Sequence, residues 1–219
     1  MRNTSSTIEK YFDSLSSGTN PLLQKAREAA TGLGLQRISL GDLELGILKT
    51  WVLSHGCKSF IEVGTLTGAS GLAILGGMPE GAKFWTLEHE QKHADLANPV
   101  LQEAARAKNQ QCKIVVGDAR EKLSEIAGEG PFDGIFIDGN KAAYGDYLAW
   151  AEKNVRKGGI IIADNVFLGG AVLGETNDKF SAKQVQVMKE FNQRLMNEDL
   201  FASCLIPTSE GMFVGVKLF

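Results

Sequence analysis

The stretch "SFIEVGTLTGAS", Ser59 to Ser70, decides how the rest of the chain is read. Ser59–Val63 is short and apolar, with one acid, Glu62, inside it. Gly64-Thr65-Leu66-Thr67-Gly68 follows, and a small-residue helical run occupies 70–77. A buried strand turning through glycines into a helix is how a βαβ unit begins. Gly64 and Gly68 let the backbone approach a ligand closely, and the helix start offers amides to a negative group. The bland alternative is a plain strand-to-helix turn.

Working outward, the same rhythm repeats. Apolar, β-rich runs occupy 59–63, 83–87, 113–116, 134–137 and 159–163, and helical stretches alternate with them at 70–77, 91–107, 120–127 and 144–155. Continuous apolar strands alternating with helices predict a parallel sheet covered on both faces, joined by right-handed crossovers. The ending differs. Ser181 and Gln184 form a capping-box pattern opening a helix with Val185, Met188, Phe191 and Leu195 on one face. "FASCLI" and "MFVGVKLF" then flank Pro207-Thr208-Ser209-Glu210-Gly211, which predicts an antiparallel hairpin. Upstream, Asn20-Pro21 caps a helix ending at Gly32, and Asp42 opens another through Ser54. These two are expected to pack over the domain as a lid or dimer element. The expected fold is a doubly wound, Rossmann-like α/β domain over 1–219. It comprises amino-terminal helices in 1–56 and a core in 57–219, with seven strands, five parallel plus the carboxy-terminal antiparallel hairpin.

Bulk properties narrow the function. The chain has 219 residues and a formal net charge of -3, from 23 basic and 26 acidic residues. That balance gives no nucleic-acid footprint and no polybasic membrane surface. Cys57, Cys112 and Cys204 have neither metal-ligand spacing nor a disulfide framework, so they read as reduced, mostly buried thiols of a cytoplasmic protein. No apolar run reaches membrane-spanning length, and "MRNTSSTIEKYFDSL" lacks a leader-type apolar stretch.

Chemistry collects at the strand ends. Glu62, Glu88, Asp118, Asp138 and Asp164 mark five successive ones. Core packing does not explain this, because buried carboxylates are costly unless paired. In an open α/β sheet these ends face one crevice, the usual ligand site. The glycine loop is G-x-x-x-G rather than G-x-G-x-x-G, which disfavours a dinucleotide pyrophosphate and a nicotinamide oxidoreductase. Glu88, 24 residues beyond Gly64, is placed to accept two ribose hydroxyls, and Asp118-Ala119 to receive an adenine. For each, a solvated strand-end acid is the plainer reading. A nucleoside bearing a small charged group fits the set.

"FIEVGTLTGASGLAI", "FWTLEHE", "GDA", "FIDGNKAAYGDYL" and "GGIIIADNVFLGGAV" together resemble the cation-dependent small-molecule O-methyltransferases, the S-adenosylmethionine-dependent family of the caffeoyl-CoA and catechol enzymes. The likeness runs from about residue 20 to the final "EGMFVGVKL". It implies that Glu62, Gly64, Thr65, Gly68 and Ser70 hold the methionine side of S-adenosylmethionine and Glu88 its ribose. Asp118 and Ala119 would border the adenine, and Asp138 and Asn140 would complete the cofactor site. It implies Asp138, Asp164 and Asn165 as ligands of a divalent cation, Mg²⁺ foremost with Ca²⁺ or Mn²⁺ as alternatives. Asp138 and Lys141 are the implied catalytic pair, Lys141 being the general base. The expected acceptor is a hydroxylated aromatic small molecule, a catechol-like vicinal diol, and the family usually forms homodimers. An all-oxygen ligand set suits a hard cation, and a partly desolvated lysine beside that charge is expected to have a lowered pKa. Two positions depart from the pattern. Asn140 stands where many relatives have Asp, and Leu168 where phenylpropanoid-CoA enzymes carry an aromatic, which disfavours a plant-type caffeoyl-CoA substrate. An acceptor such as RNA, or a cofactor-binding protein without catalysis, are the competing readings. His55, His89 and His93 are read as surface or helix-end residues, Trp51, Trp85 and Trp150 as core.

Overall fold

Apolar strands lacking alternation must be covered on both sides, and the chain meets that demand with two helical layers. The computed structural model describes residues 7–15 and 20–219. Residues 1–6, part of the stretch read for a leader, lie outside the described residues. The strands are β1 (Ser59–Val63), β2 (Lys83–Glu88), β3 (Gln111–Val116), β4 (Phe132–Ile137), β5 (Val155–Asp164), β6 (Phe201–Ile206) and β7 (Met212–Lys217). They form a seven-stranded sheet in the order β3-β2-β1-β4-β5-β7-β6. The first five pair in parallel, and β7 runs antiparallel between β5 and β6. The expected architecture is the observed one.

The helices are α1 (Thr7–Leu15), α2 (Pro21–Gly32), α3 (Asp42–Ser54), α4 (Ala69–Gly77), α5 (Gln91–Arg106), α6 (Ala119–Ile126), α7 (Tyr144–Asn154) and α8 (Ala182–Leu195). One face of the sheet, with Phe60, Phe84, Phe136 and Ile162, packs on residues of α2 to α5. The other, with Ile61, Ile135, Ile161 and Phe213, packs on α6 to α8. Each fully buried Ile or Phe contributes about 1.5–3 kcal/mol. Asn20 Oδ1 caps α2 by accepting from Leu22 N at 2.9 Å, and Ser181 and Gln184 form the expected capping box on α8.

Helices α2 and α3, expected to pack over the domain, bury Ala26, Leu45, Leu48 and Val52 in the same layer as α4 and α5. Other expectations change. The boundary expected between the helical stretch 144–155 and the strand run 159–163 falls earlier. α7 stops at Asn154, and β5 begins at Val155, which pairs with Phe132 ahead of a register shift. Of the cysteines, Cys57 is buried while Cys112 is half-buried and Cys204 is exposed on β6; all three are unpaired thiols. Of the tryptophans, Trp85 is buried, whereas Trp51 and Trp150 are half-buried. Among the described residues no helix is long and apolar enough to cross a membrane.

Candidate active site

β1 pairs with β2 on one side and β4 on the other, so the connections leaving β1 and β4 diverge. That reversal of strand order opens a crevice at the strand ends. A cavity of about 570 Å³ occupies it, a size suited to a small organic ligand. Of the residues expected there, Gly64, Thr65, Ser70, Glu88, Asp118, Ala119, Asp138, Asn140, Lys141 and Asn165 line the cavity. Glu62, Gly68 and Asp164 do not.

Close backbone approach dictates the glycine loop. Gly64 has φ +102°, and a Cβ there would stand 2.3 Å from the carbonyl oxygen of Asp138. The two strand-end turns are thus in contact, and Asp138 N donates to Val63 O at 2.8 Å. Gly68 has φ +93° and faces Leu101 and Ala97 of α5, so its smallness serves packing behind the loop. Glu62 is fully buried beneath the loop. Its Oε2 accepts from Thr86 Oγ1 at 2.6 Å, and Ser70 also hydrogen-bonds the carboxyl. Burial pushes its pKa up to about 8, against the lowering pull of the Ser70 and Thr86 hydrogen bonds. The single hydrogen of Thr86 goes to Glu62, so Thr65 Oγ1 donates to Thr86 Oγ1, at 2.5 Å. Glu62, expected against the methionine side, therefore reaches the cavity only through Thr65 and Ser70.

The ribose and adenine positions carry partners of their own. Glu88 Oε2 accepts from Thr65 N at 3.2 Å and Leu66 N at 2.8 Å, and Oε1 from Glu90 N at 3.0 Å. His93 Nδ1 lies 3.4 Å from the same Oε1. A carboxylate has about four acceptor sites. Glu88 consequently straps the glycine loop to β2 and keeps little spare capacity for hydroxyls. Asp118 caps α6 and forks with Arg120, at 3.1 and 2.7 Å. The Arg120 hydrogen bonds hold its pKa down at about 2. Asn140 Oδ1 accepts from Ala142 N at 3.0 Å and caps the 3-10 turn Lys141–Ala143. It is a turn residue as well as a cavity residue, with its amide nitrogen the group left to face a ligand.

The third group surrounds Lys141. Its Nζ lies 2.9 Å from Asp138 Oδ1 and 2.6 Å from Tyr144 Oη, with only 14% of the side chain exposed. Burial opposes the charge, but Asp138, Tyr144 and Asp164 outweigh it and raise the pKa above the ordinary lysine value. Facing Asp138, Lys141 favours its charged form; the expected lowering was for a lysine beside a bound divalent cation. Asp164 is fully buried at the end of β5, and Asn165 follows it at φ +62°. That left-handed turn aims Asn165 into the cavity, and its buried Oδ1 has no hydrogen-bond partner. An orphaned amide oxygen lining the same cavity as the Asp138 carboxylate is donor chemistry that suits a hard divalent cation. Among the described residues no three His, Cys, Asp or Glu side chains are grouped to hold a metal. A cation here would depend on Asn165 as the third protein ligand.

Other cavity residues escaped the sequence. Arg37, Ile38, Ser39 and Leu40 line it from the segment joining α2 and α3, as do His89, His93, Tyr147 and Phe180. Phe180 brings the end of the segment between β5 and α8 to the cavity. Leu168, by contrast, is fully buried and does not face the cavity. Tyr144 and Tyr147 stand three and six residues after Lys141, a helical spacing that could have drawn notice. Nothing local marked 37–40.

The sequence profile described as "O-methyltransferase" matches residues 13–218. A catechol O-methyltransferase of Mycobacterium tuberculosis is 34% identical over 171 residues, 78% of this chain and 76% of that protein. One from Niastella koreensis is 31% identical over 213 residues, covering 96% and 92%. Among solved structures, the Streptomyces achromogenes O-methyltransferase TomG in complex with SAM superposes with a TM-score of 0.85 at 26% identity, covering 98% of this chain and 97% of that one. A Bacillus cereus O-methyltransferase in complex with SAH gives 0.84 at 27% identity, covering 99% and 100%.

Proposed function

The chain belongs to the O-methyltransferase family and is an S-adenosylmethionine-dependent O-methyltransferase; from that premise we propose that it methylates one hydroxyl of a catechol-like vicinal diol on a small aromatic molecule, with a divalent cation. One observation carries the reading: a single cavity is lined both by the Gly64–Ser70 loop with Asp118-Ala119 and by Asp138, Lys141 and Asn165. The catechol O-methyltransferases at 31–34% identity support the acceptor class.

The roles follow from the groups present. The amides of the glycine loop and the carboxyl-capped start of α6 surround the cofactor, whose sulfonium supplies an electrophilic methyl group. A hard divalent cation on Asp138, Asp164 and Asn165 would supply Lewis-acid polarisation of the two acceptor oxygens. In the transfer the acceptor oxygen forms a bond to the methyl carbon, the carbon–sulfur bond breaks, and its electron pair stays on sulfur. The hydroxyl proton goes to Lys141 Nζ in its neutral form, the form that Asp138 opposes while the two face each other. Much of the rate comes from in-line placement, because methyl transfer needs little more than two atoms held about 3–3.5 Å apart.

The test is a methylation screen, read by mass spectrometry, over catechol, 3,4-dihydroxybenzoate and caffeic acid with their monohydroxy analogues, in Mg²⁺. Diols are methylated and monohydroxy analogues are not. Equal rates on both, or no methylated diol at all, would sink the proposal.

A further inference from the structure

Tyr144 opens α7 one turn beyond Lys141 and is fully buried. Its hydroxyl donates to the carbonyl of Asp164 at 2.8 Å and lies 3.2 Å from that of Ile137. A phenol has one hydrogen, and these two carbonyls share it, so toward Lys141 Nζ at 2.6 Å the hydroxyl can only accept. One oxygen thus touches three elements. Asp164 ends β5, and Ile137 ends β4 and immediately precedes Asp138.

The ring has little freedom to move that oxygen. It packs edge-on against Phe191 of α8, centroids 5.2 Å apart at 67°, and against Tyr147 at 6.2 Å. Lys141 Nζ also stands 4.8 Å from the ring centroid. A lysine side chain carries many rotamers, and one carboxylate at its tip would leave several of them open. A second partner anchored to the ends of two strands selects one.

We infer that Tyr144 is the positioning residue of this site, its hydroxyl holding the Lys141 amine and the ends of β4 and β5 in one arrangement. The inference rests on the methyl transfer proposed above. It requires nothing to bind Tyr144 and gives it no contact with the reacting atoms. Methyl transfer tolerates misplacement poorly, since about 1 Å costs roughly 100-fold. A hydroxyl that sets the amine's position accordingly acts on turnover rather than on binding.

The experiment uses the full chain and Tyr144→Phe, which keeps the ring. In the metal-free, cofactor-free protein, 13C relaxation at Lys141 Cε, assigned with Lys141→Arg, reads the order of the amine directly. Restricted motion in the wild-type chain and a clear rise in mobility in Tyr144→Phe are expected. With Mg²⁺ and a methylated diol, kcat falls about 10–100-fold while KM and the calorimetric affinity for S-adenosylhomocysteine stay within about twofold. Tm drops by no more than about 5 °C. A mobile Lys141 in the wild-type chain overturns the inference without needing the variant. So does unchanged order in Tyr144→Phe, or a loss shared equally by kcat, cofactor affinity and Tm. Failure of the wild-type chain to methylate any diol counts against the proposed acceptor alone, and the relaxation measurement still decides the role of Tyr144.

Discussion

Glu88 and Leu66, 22 residues apart, are joined by a 2.8 Å hydrogen bond from the Leu66 amide to the Glu88 carboxylate. Leu66 is held at φ +50°, a left-handed conformation unusual for a residue with a branched side chain. The acid at the end of β2 therefore shapes the loop after β1 as well as facing the cavity.

Glu88→Gln tests that double role. An amide presents one acceptor oxygen where the carboxylate presents two, and three backbone donors converge on the position. Losing a charge-assisted bond costs about 1.5–3 kcal/mol. Affinity for S-adenosylhomocysteine should fall at least about tenfold by calorimetry, with Tm falling alongside. An affinity loss without any Tm change would remove the loop-shaping role and leave only ligand contact.

Glu62 makes stability depend on pH. Unfolded, the carboxyl titrates near 4.5; folded, burial raises it to about 8. Below 4.5 both states hold the proton, so the stabilising contribution is complete there. Between 4.5 and 8 the unfolded chain releases the proton and the folded chain keeps it, so stability falls as pH rises and the loss is complete above the folded value. Glu62→Gln removes this dependence, so its Tm relative to wild type should rise from pH 5 to pH 9. A difference that stays flat across that range would refute the assignment.

Gly64→Ala strains two things at once. Its φ of +102° disfavours any Cβ, and that atom would meet the Asp138 carbonyl oxygen at 2.3 Å. The expected cost is about 2–4 kcal/mol in urea unfolding, with cofactor binding reduced because β1 and β4 are pushed apart. Gly34→Ala serves as the comparison, since Gly34 also has positive φ but nothing lies within 4 Å of its would-be Cβ. Equal losses in the two variants would mean that φ alone matters and the contact with Asp138 does not.

Chelation and Lys141→Met separate the metal from the base. EDTA should abolish diol methylation and excess Mg²⁺ restore it, while Asn165→Ala should need about tenfold more Mg²⁺ for half-maximal rate. Lys141→Met should lose about 100-fold or more in turnover with cofactor affinity unchanged. Turnover surviving Lys141→Met would require another proton acceptor.

Legibility varied with the length scale of the interaction. The strand-loop-helix of 59–77 and the Asn20 and Ser181 caps are set by neighbours in sequence, and they read correctly. The left-handed turn at Asn165 and the Glu88 strap involve backbone conformation and a partner two dozen residues away, which a residue pattern does not record. Asn140 illustrates the boundary. It stands out for replacing an acid, yet its oxygen performs the turn-capping that Asn side chains favour.

By itself the sequence determined the sheet, its parallel and antiparallel parts, and which strand ends carry the acids, because hydrophobic period and turn chemistry are local and one-dimensional. Only the tertiary structure decided which of those acids line the cavity and which groups engage them. Burial withdrew Glu62 behind Thr65 and Ser70, three amides and a histidine engaged Glu88, and Arg120 claimed Asp118. It also placed a tyrosine between Lys141 and two strand ends. A carboxylate's role depends on its desolvation and on the donors around it, and both are set by residues brought together from elements far apart in the chain.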